Sequence, residues 1–324
     1  MKQTAFYIGL FFILCSAAVM AESEDGGYAG AFLNMALDAR PAAMGGAYIG
    51  ISDDASGQLY NPAGVAAMRT RSFSSAYRMM KLDRKLGFVS LVLPTRLESS
   101  LGISWIYAGY GEVTRRNSSG QDLGSTISSG EHAFAMTFAK QFSPVFSAGT
   151  KLNYYYKYLD DISEKLTASS VGINLGVMMY VDSLFEYGAM EEKAINDIKI
   201  GLVLDNLSAQ YSWGSGDEGL RAAPDDAFPV SVGLGVSFRA FNRQLLLAVD
   251  GEKNLEQDPV FRFGGEYLYR DLMTLRAGLD NGHMTFGTGF PFKIGQADLF
   301  INYAFADDRV DEGSDHLFSL QVKF

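Results

Sequence analysis

Side chains suited to acid–base, nucleophilic or metal chemistry are few in this chain of 324 residues. None of the three histidines, His132, His283 and His316, has a serine or an acidic residue at the spacing of a nucleophilic site. The one cysteine, Cys15, lies in an apolar run near the N-terminus, so the rest of the chain has no Cys/His metal spacing. The acidic loop 307–315 lacks the oxygen-ligand spacing of a calcium loop. The sequence therefore predicts neither an enzyme nor a bound cofactor or metal.

The first 21 residues have the pattern of an export signal. One positive charge, at Lys2, precedes an apolar run from Ala5 to Ala18, and small residues follow up to Ala21. We therefore expect residues 1–21 to be a signal peptide. The formal net charge is −10 without any basic cluster, which argues against nucleic acid as a partner.

Residues 69–324 show the two-residue period of β-strands. In the last segment, Phe318, Leu320, Val322 and Phe324 alternate with polar side chains. Similar segments of roughly ten residues recur along the chain, about fourteen in all, and this is the length of a tilted strand that crosses a bilayer. A soluble β-sandwich also alternates. Against it, aromatic residues cluster near strand ends, and the opposite face is mostly Gly, Ser or charged, as in a barrel with a polar lumen.

The connections between these segments alternate between short and long. Short turns on one rim and long polar loops on the other are typical of an outer-membrane barrel whose long loops lie outside the cell. Residues 183–195 break the alternation, because they are long and fall on the short side. The sequence thus predicts an all-β fold, an antiparallel transmembrane barrel in the outer membrane. We expect it to contact outer-membrane lipid and to meet the barrel-assembly machinery through the strand that ends at Phe324.

Residues 22–68 do not alternate and carry little bulky apolar surface. They are rich in Gly and Ala, so they are poorly suited to face lipid. A barrel of about fourteen strands has a lumen that must be filled or left as a pore. The predicted arrangement is a plug, formed by residues 22–68, inside the barrel.

The sequence of this segment also resembles a known family. The run from Ala36 to Ala66 contains AMGGA, a following DDA and a YNPAG turn, and it resembles the N-terminal hatch of the PorV/PorQ and FadL-like outer-membrane proteins. The stretch from Phe263 to Tyr269 and the following LRAG resemble their late hairpins. The resemblance implies a 14-stranded barrel with an N-terminal hatch. In the FadL branch it implies uptake of hydrophobic compounds, and in the PorV branch docking of secreted proteins in type IX secretion.

Several residues of the segment are candidates for holding or gating the plug. Asp53 and Asp54 are suited to accept hydrogen bonds from lumen-facing arginines such as Arg262 or Arg276. Packing alone also explains paired charges and small residues, so a purely anchoring role stays open.

Two dipeptides of the segment have backbone roles. Gly45 and Gly46 allow the backbone to pass close to the barrel wall, and Asn61 with Pro62 turns the chain toward it. These are again compatible with anchoring alone.

The predicted function is transport of hydrophobic small molecules, such as long-chain fatty acids, gated by the plug. Tyr211, Trp213 and Leu220 of the long loop are candidates for an apolar pocket, although ordinary loop packing explains them too. The alternatives are a PorV-like barrel that docks secreted proteins and a purely structural outer-membrane protein.

Overall fold

A computed structural model describes residues 28–81, 83–161, 164–184, 195–213, 226–307 and 313–324. The predicted signal peptide, Leu220 and most of the segment 183–195 lie outside these residues. The described strands, in chain order, are β1 Ser72–Met79, β2 Lys85–Pro94, β3 Ser99–Arg116, β4 Asp122–Ser143, β5 Phe146–Asp161, β6 Glu164–Tyr180, β7 Ile195–Leu207, β8 Gln210–Trp213, β9 Asp226–Ala227, β10 Ser231–Ala240, β11 Leu245–Asn254, β12 Val260–Tyr269, β13 Met273–Asp280, β14 His283–Ile294, β15 Ala297–Asp307 and β16 Ser314–Lys323.

Fourteen of these strands, all except β8 and β9, form a closed antiparallel ring. Each pairs with two neighbours, β1 pairs with β16 as well as with β2, and the β5–β6 pairing completes the circle. The short strands β8 and β9 form a hairpin attached to β6. The predicted 14-stranded antiparallel barrel is therefore confirmed.

The wall presents many apolar side chains to the outside. In β10, Val232, Leu234 and Val236 are 37–52% exposed, whereas Ser231 and Ser237 are at most 4% exposed. A soluble sandwich would bury the first set and expose the second. Apolar outside and small or polar inside is the pattern of strands in contact with lipid, because lipid chains solvate apolar groups and the closed ring satisfies the backbone.

The wall is taller on one side. Strands β3 to β6 contain 16–22 residues, whereas β10 to β13 contain 8–10. Residues 110–116 and 122–128 belong to the two longest strands, with Val113 opposite Ile127 and Thr114 opposite Thr126. The β-branched residues that support this extension alternate only weakly with their neighbours, so the sequence pattern did not show it.

The two ends of the ring differ in their connections. The first residue of β1, Ser72, and the last residue of β16, Lys323, pair at one rim. This rim, here called the short-turn rim, also carries the turns 95–98, 144–145, 241–244, 270–272 and 295–296. The opposite, long-loop rim carries 117–121, 208–230 and 255–259.

Residues 36–68 lie within the ring. They comprise the single α-helical turn α1, Ala39–Ala43, and the 3₁₀ turns Ala55–Leu59 and Gly64–Ala67. Helix α1 contacts β13 to β16, the first 3₁₀ turn contacts β1 and β2, and the second contacts β3 to β6. Nearly every residue from 37 to 66 is buried. Among the described residues, no helix has the length and apolar character to cross a membrane.

Candidate functional site

A buried cluster of charges surrounds Arg40. Asp38 caps α1 by accepting a hydrogen bond from the Arg40 backbone nitrogen at 3.2 Å. The Arg40 guanidinium then donates to Asp53 at 2.6 Å, to Asp54 at 2.8 Å, and to both carboxylate oxygens of Glu266 in β12 at 2.8 and 3.1 Å. One cation therefore joins two carboxylates of the segment to one of the wall.

These contacts fix the charges of the cluster. Burial by itself would raise the pKa of Asp53, but Arg40, with Lys199 and Lys323 nearby, holds that pKa well below its ordinary value. Burial would lower the pKa of Arg40, and the surrounding Asp53 and Glu266 carboxylates instead hold it well above its usual range. Both groups are thus ionised at neutral pH.

Among the described residues, neither wall arginine named from the sequence pairs with Asp53 or Asp54, and the wall arginine that lies beside Asp53 is Arg239 in β10, at 3.7 Å. Arg262 donates instead to Glu252 at 2.6 Å and to Asp280 at 3.3 Å, both in the wall. Arg276 donates to Glu266 at 2.8 Å, so it reaches the cluster only through that carboxylate.

Sequence reasoning missed Arg40 itself. A signal for it existed, because Arg40 is the one basic residue between positions 28 and 68. When a segment with several acidic residues is buried, its carboxylates need a cation to offset the loss of hydration, and Arg40 is the basic residue within the segment that can provide it.

Gly45 and Gly46, the glycines singled out in the sequence, lie against the wall. Gly45 and Gly46 have φ of +63° and +75°, a region that favours glycine. A Cβ on Gly45 would collide with the backbone of Leu279, and one on Gly278 would collide with the backbone of Met44 and Gly45. Segment and strand β13 therefore approach backbone to backbone.

Asn61 and Pro62 lie at the opposite side of the lumen. The Asn61 side chain donates to the backbone oxygens of Ile49 at 3.2 Å and Val177 at 3.1 Å, which joins the segment to itself and to β6. Gly176 in β6 provides the space that Asn61 and Pro62 occupy.

Asp250 is a further anchor that the sequence did not indicate. One oxygen of its carboxylate accepts the backbone N–H groups of Tyr48 at 2.6 Å and Ile49 at 2.8 Å. In the sequence it is one of several acids in alternating strands, and only the closed ring places it beneath this turn. The segment is thus held to the wall by hydrogen bonds and also by small apolar clusters, such as Ala42 and Ala43 against Ala304 and Leu317.

Of the three candidate pocket residues, Tyr211 and Trp213 lie in the described part of the chain. The buried side chain of Tyr211 packs in an aromatic group with Phe228 and Tyr155. The Phe228 ring centroid lies 4.9 Å from that of Tyr211 and 4.4 Å from that of Tyr155. The Tyr211 hydroxyl donates to Glu131 at 3.1 Å, and Trp213 donates to Asp226 at 3.3 Å. This aromatic group covers the lumen on the long-loop side. Leu220 lies outside the described residues.

A cavity of about 90 Å³ lies in the lumen beneath this aromatic group. Its one side is apolar and belongs to the N-terminal segment, with Leu33, Met35, Leu37 and Leu59. The wall contributes mostly polar and charged side chains to the lining, together with the apolar Ile106, Ala133 and Ala135 of β3 and β4. Among the described residues, no group of three or more His, Cys, Asp and Glu side chains could hold a metal ion.

Comparisons with known proteins bear on the fold. No protein-family model matches the chain. No curated protein sequence matches it either.

Solved structures do match. The toluene transporter TbuX of Ralstonia pickettii superimposes with a TM-score of 0.61 at 14% identity, covering 90% of this chain and 99% of that chain. The Pseudomonas putida toluene transporter TodX gives 0.59 at 15% identity, covering 89% and 97%.

A Pseudomonas aeruginosa FadL homologue gives a TM-score of 0.58 at 12% identity, covering 92% of this chain and 99% of that chain. The PorV/PorQ branch stays a prediction from the hatch-like sequence. What the chain shares with these structural neighbours, over nearly its whole length, is the FadL-type barrel fold.

Proposed function

We propose that this protein is an outer-membrane channel for hydrophobic small molecules, with residues 36–68 as its plug. The observation that carries the proposal is the lumen itself. A buried segment fills the ring, and a cavity with an apolar side lies between that segment and the long-loop rim. Structural neighbours of the same fold include toluene transporters, which supports this class of substrate.

The proposed direction of passage follows from the two rims. With the long-loop rim outside the cell, a hydrophobic molecule enters beneath the aromatic group of Tyr155, Tyr211 and Phe228 and reaches the cavity. Further passage requires the plug to move, because residues 37–66 are buried against the wall below it. Hydrogen-bonded anchors suit such a motion, since each lost bond is replaced by one to water.

Uptake by cells tests the proposal. A Gram-negative host without a hydrocarbon channel of its own would express the protein, and uptake of labelled toluene and of a labelled long-chain fatty acid would be measured. Uptake above that of host cells with an empty vector supports a channel, and the faster substrate defines its class. Equal uptake with and without the protein would overturn the proposal.

A crosslink tests the plug. The Ser147 hydroxyl donates to the Ala63 backbone oxygen at 2.9 Å, so a pair of cysteines, Ala63→Cys with Ser147→Cys, would tie the plug to β5. We expect uptake to fall when this pair is oxidised and to recover after reduction. Each single cysteine variant is the control. Undiminished uptake through the oxidised variant would show that this part of the plug need not move.

A further inference from the structure

Inward-facing polar side chains form a belt around the cavity. Strand register brings them to a common level, with Lys151 opposite Asn174, Ser231 opposite Asp205, and Arg262 opposite Asp280. The polar belt comprises Ser104, Lys151, Asn153, Asn174, Asp205, Ser231, Glu252, Arg262 and Asp280, all of which line the cavity.

Two hydroxyl groups at this cavity are incompletely hydrogen-bonded in the described part of the chain. Ser104 is 8% exposed, and its hydroxyl makes no hydrogen bond. The hydroxyl of Tyr60, across the cavity on the plug, has the Leu37 backbone N–H beside it and no acceptor for its own hydrogen among the described residues. Leaving a buried polar group unpaired costs about 1–3 kcal/mol. Such groups indicate a ligand that supplies the missing hydrogen bonds.

Lys151 adds a third incomplete group. Its ammonium has three N–H donors, and it makes one hydrogen bond, of 3.4 Å, to the Leu59 backbone oxygen within the described residues. Arg262 differs, because Glu252 and Asp280 both pair with it. The incomplete donors therefore lie on the side of the belt formed by β3 and β5.

We propose, on the basis of the channel function above, that the cavity selects small amphipathic molecules with an uncharged hydrogen-bonding head group, such as an alcohol or a phenol. The head group binds at Ser104, Tyr60 and Lys151. The apolar body lies against the apolar lining residues Leu37 and Leu59 of the plug. A bare hydrocarbon leaves the three polar groups incompletely hydrogen-bonded, so it binds less tightly.

The charges of the polar belt disfavour ionised head groups. A carboxylate would approach Lys151 but also enter a belt that contains Asp205, Glu252 and Asp280. An ammonium would meet Lys151 and Arg262. An uncharged hydroxyl donates to one neighbour and accepts from another at no cost in charge desolvation.

The polar belt also continues toward the long-loop rim. A second cavity of about 20 Å³ shares Asn34, Asn206, Ser231 and Glu252 with the first and extends to Gln257. A head group that enters along this polar line keeps hydrogen-bonding partners on its way. The main cavity, at about 90 Å³, is smaller than the ~150 Å³ that holds a benzene ring in an engineered protein, so a ring displaces part of the stretch 33–37.

Fluorine NMR on the full chain in lipid nanodiscs tests the proposal. The probes are 4-fluorophenol, fluorobenzene, 4-fluorobenzoate and 4-fluorobenzylamine, with empty nanodiscs as the reference for lipid partitioning. We expect 4-fluorophenol to bind with the lowest Kd. Ser104→Ala should weaken its binding about 2- to 10-fold, the range of one hydrogen bond, and leave fluorobenzene unchanged.

Thr137→Val is the matched control, because Thr137 is another buried hydroxyl without a partner in the described chain but does not line the cavity. It should leave all four Kd values unchanged. Equal or tighter binding of fluorobenzene or of either charged probe would overturn this inference, as would no binding above the empty nanodisc. The channel proposal is tested separately, since uptake of toluene by cells can succeed while phenol selectivity fails.

Discussion

At the scale of single residues, Arg40 joins two carboxylates of the N-terminal segment to Glu266 of the wall. Its guanidinium is paired with Asp53, Asp54 and Glu266, all of which are largely removed from solvent. Arg40→Met leaves these carboxylates without that cation, and breaking a buried ion pair costs about 3–5 kcal/mol. We expect a lower melting temperature and a higher resting conductance in planar bilayers.

Arg96→Met is the control for this variant, because Arg96 is exposed in the short turn between β2 and β3. It should change neither quantity. Unaltered conductance and melting of Arg40→Met would contradict the central role of Arg40.

The depressed pKa of Asp53 predicts a pH dependence. Since the folded pKa lies below the ordinary value of 3.8, Asp53 stabilises the fold fully above that value and loses its contribution as the pH falls further toward the folded pKa. The difference in unfolding free energy between wild type and Asp53→Asn should be constant from about pH 7 to pH 5 and shrink below about pH 4. Urea titrations in lipid vesicles at a series of pH values measure it. A difference that grows on acidification would refute this assignment.

At the scale of elements, close approach between the plug and β13 depends on glycine. A Cβ at position 278 has no space beside the backbone of Met44 and Gly45, whereas one at position 87 in β2 meets nothing within 4 Å. Gly278→Ala should destabilise the plugged barrel by about 1–3 kcal/mol through overpacking and raise the resting conductance.

Gly87→Ala serves as the comparison, since it adds the same methyl group to another wall strand. It should be neutral in thermal unfolding and in conductance. If both variants behave alike, backbone contact between plug and β13 is not what holds this region.

At the scale of the whole molecule, the outward apolar band sets how the barrel sits in a bilayer. Leu234, in the middle of β10, is 52% exposed on this band. Leu234→Lys should reduce the free energy of folding into vesicles by about 2–4 kcal/mol if that position lies near the bilayer midplane. Gel mobility of folded and unfolded protein along a urea series measures the change.

Val113 provides the matched position outside the band. It is 59% exposed and lies six residues beyond Tyr107, in the extension of β3 that runs to Arg116 at the long-loop rim. Val113→Lys should cost about 0–1 kcal/mol, as at a membrane interface. Equal losses for both lysines would place the extension of β3 within the bilayer.

The alternation of apolar and polar residues along the chain was by itself enough to predict the barrel. The direction of each side chain in a strand follows from the two-residue period, which is a local property, and strand length and turn length follow from neighbouring residues. For that reason fourteen strands, their approximate bounds and the apolar outer face were predictable. The polar extension of β3 and β4 was not, because its residues lack a contrast between the two faces.

Only the tertiary structure decided which side chains meet inside the ring. Arg40 and Glu266 are 226 positions apart, and Tyr48 and Asp250 are 202 apart. Closure of the ring brings these residues into contact, and no local sequence pattern encodes that closure. The partner of Arg262 was likewise not predictable. It was named from the sequence as a candidate for Asp53, whereas the strand register places it opposite Asp280. Local periodicity thus fixes the wall, whereas the lumen is defined by contacts between residues far apart in the chain.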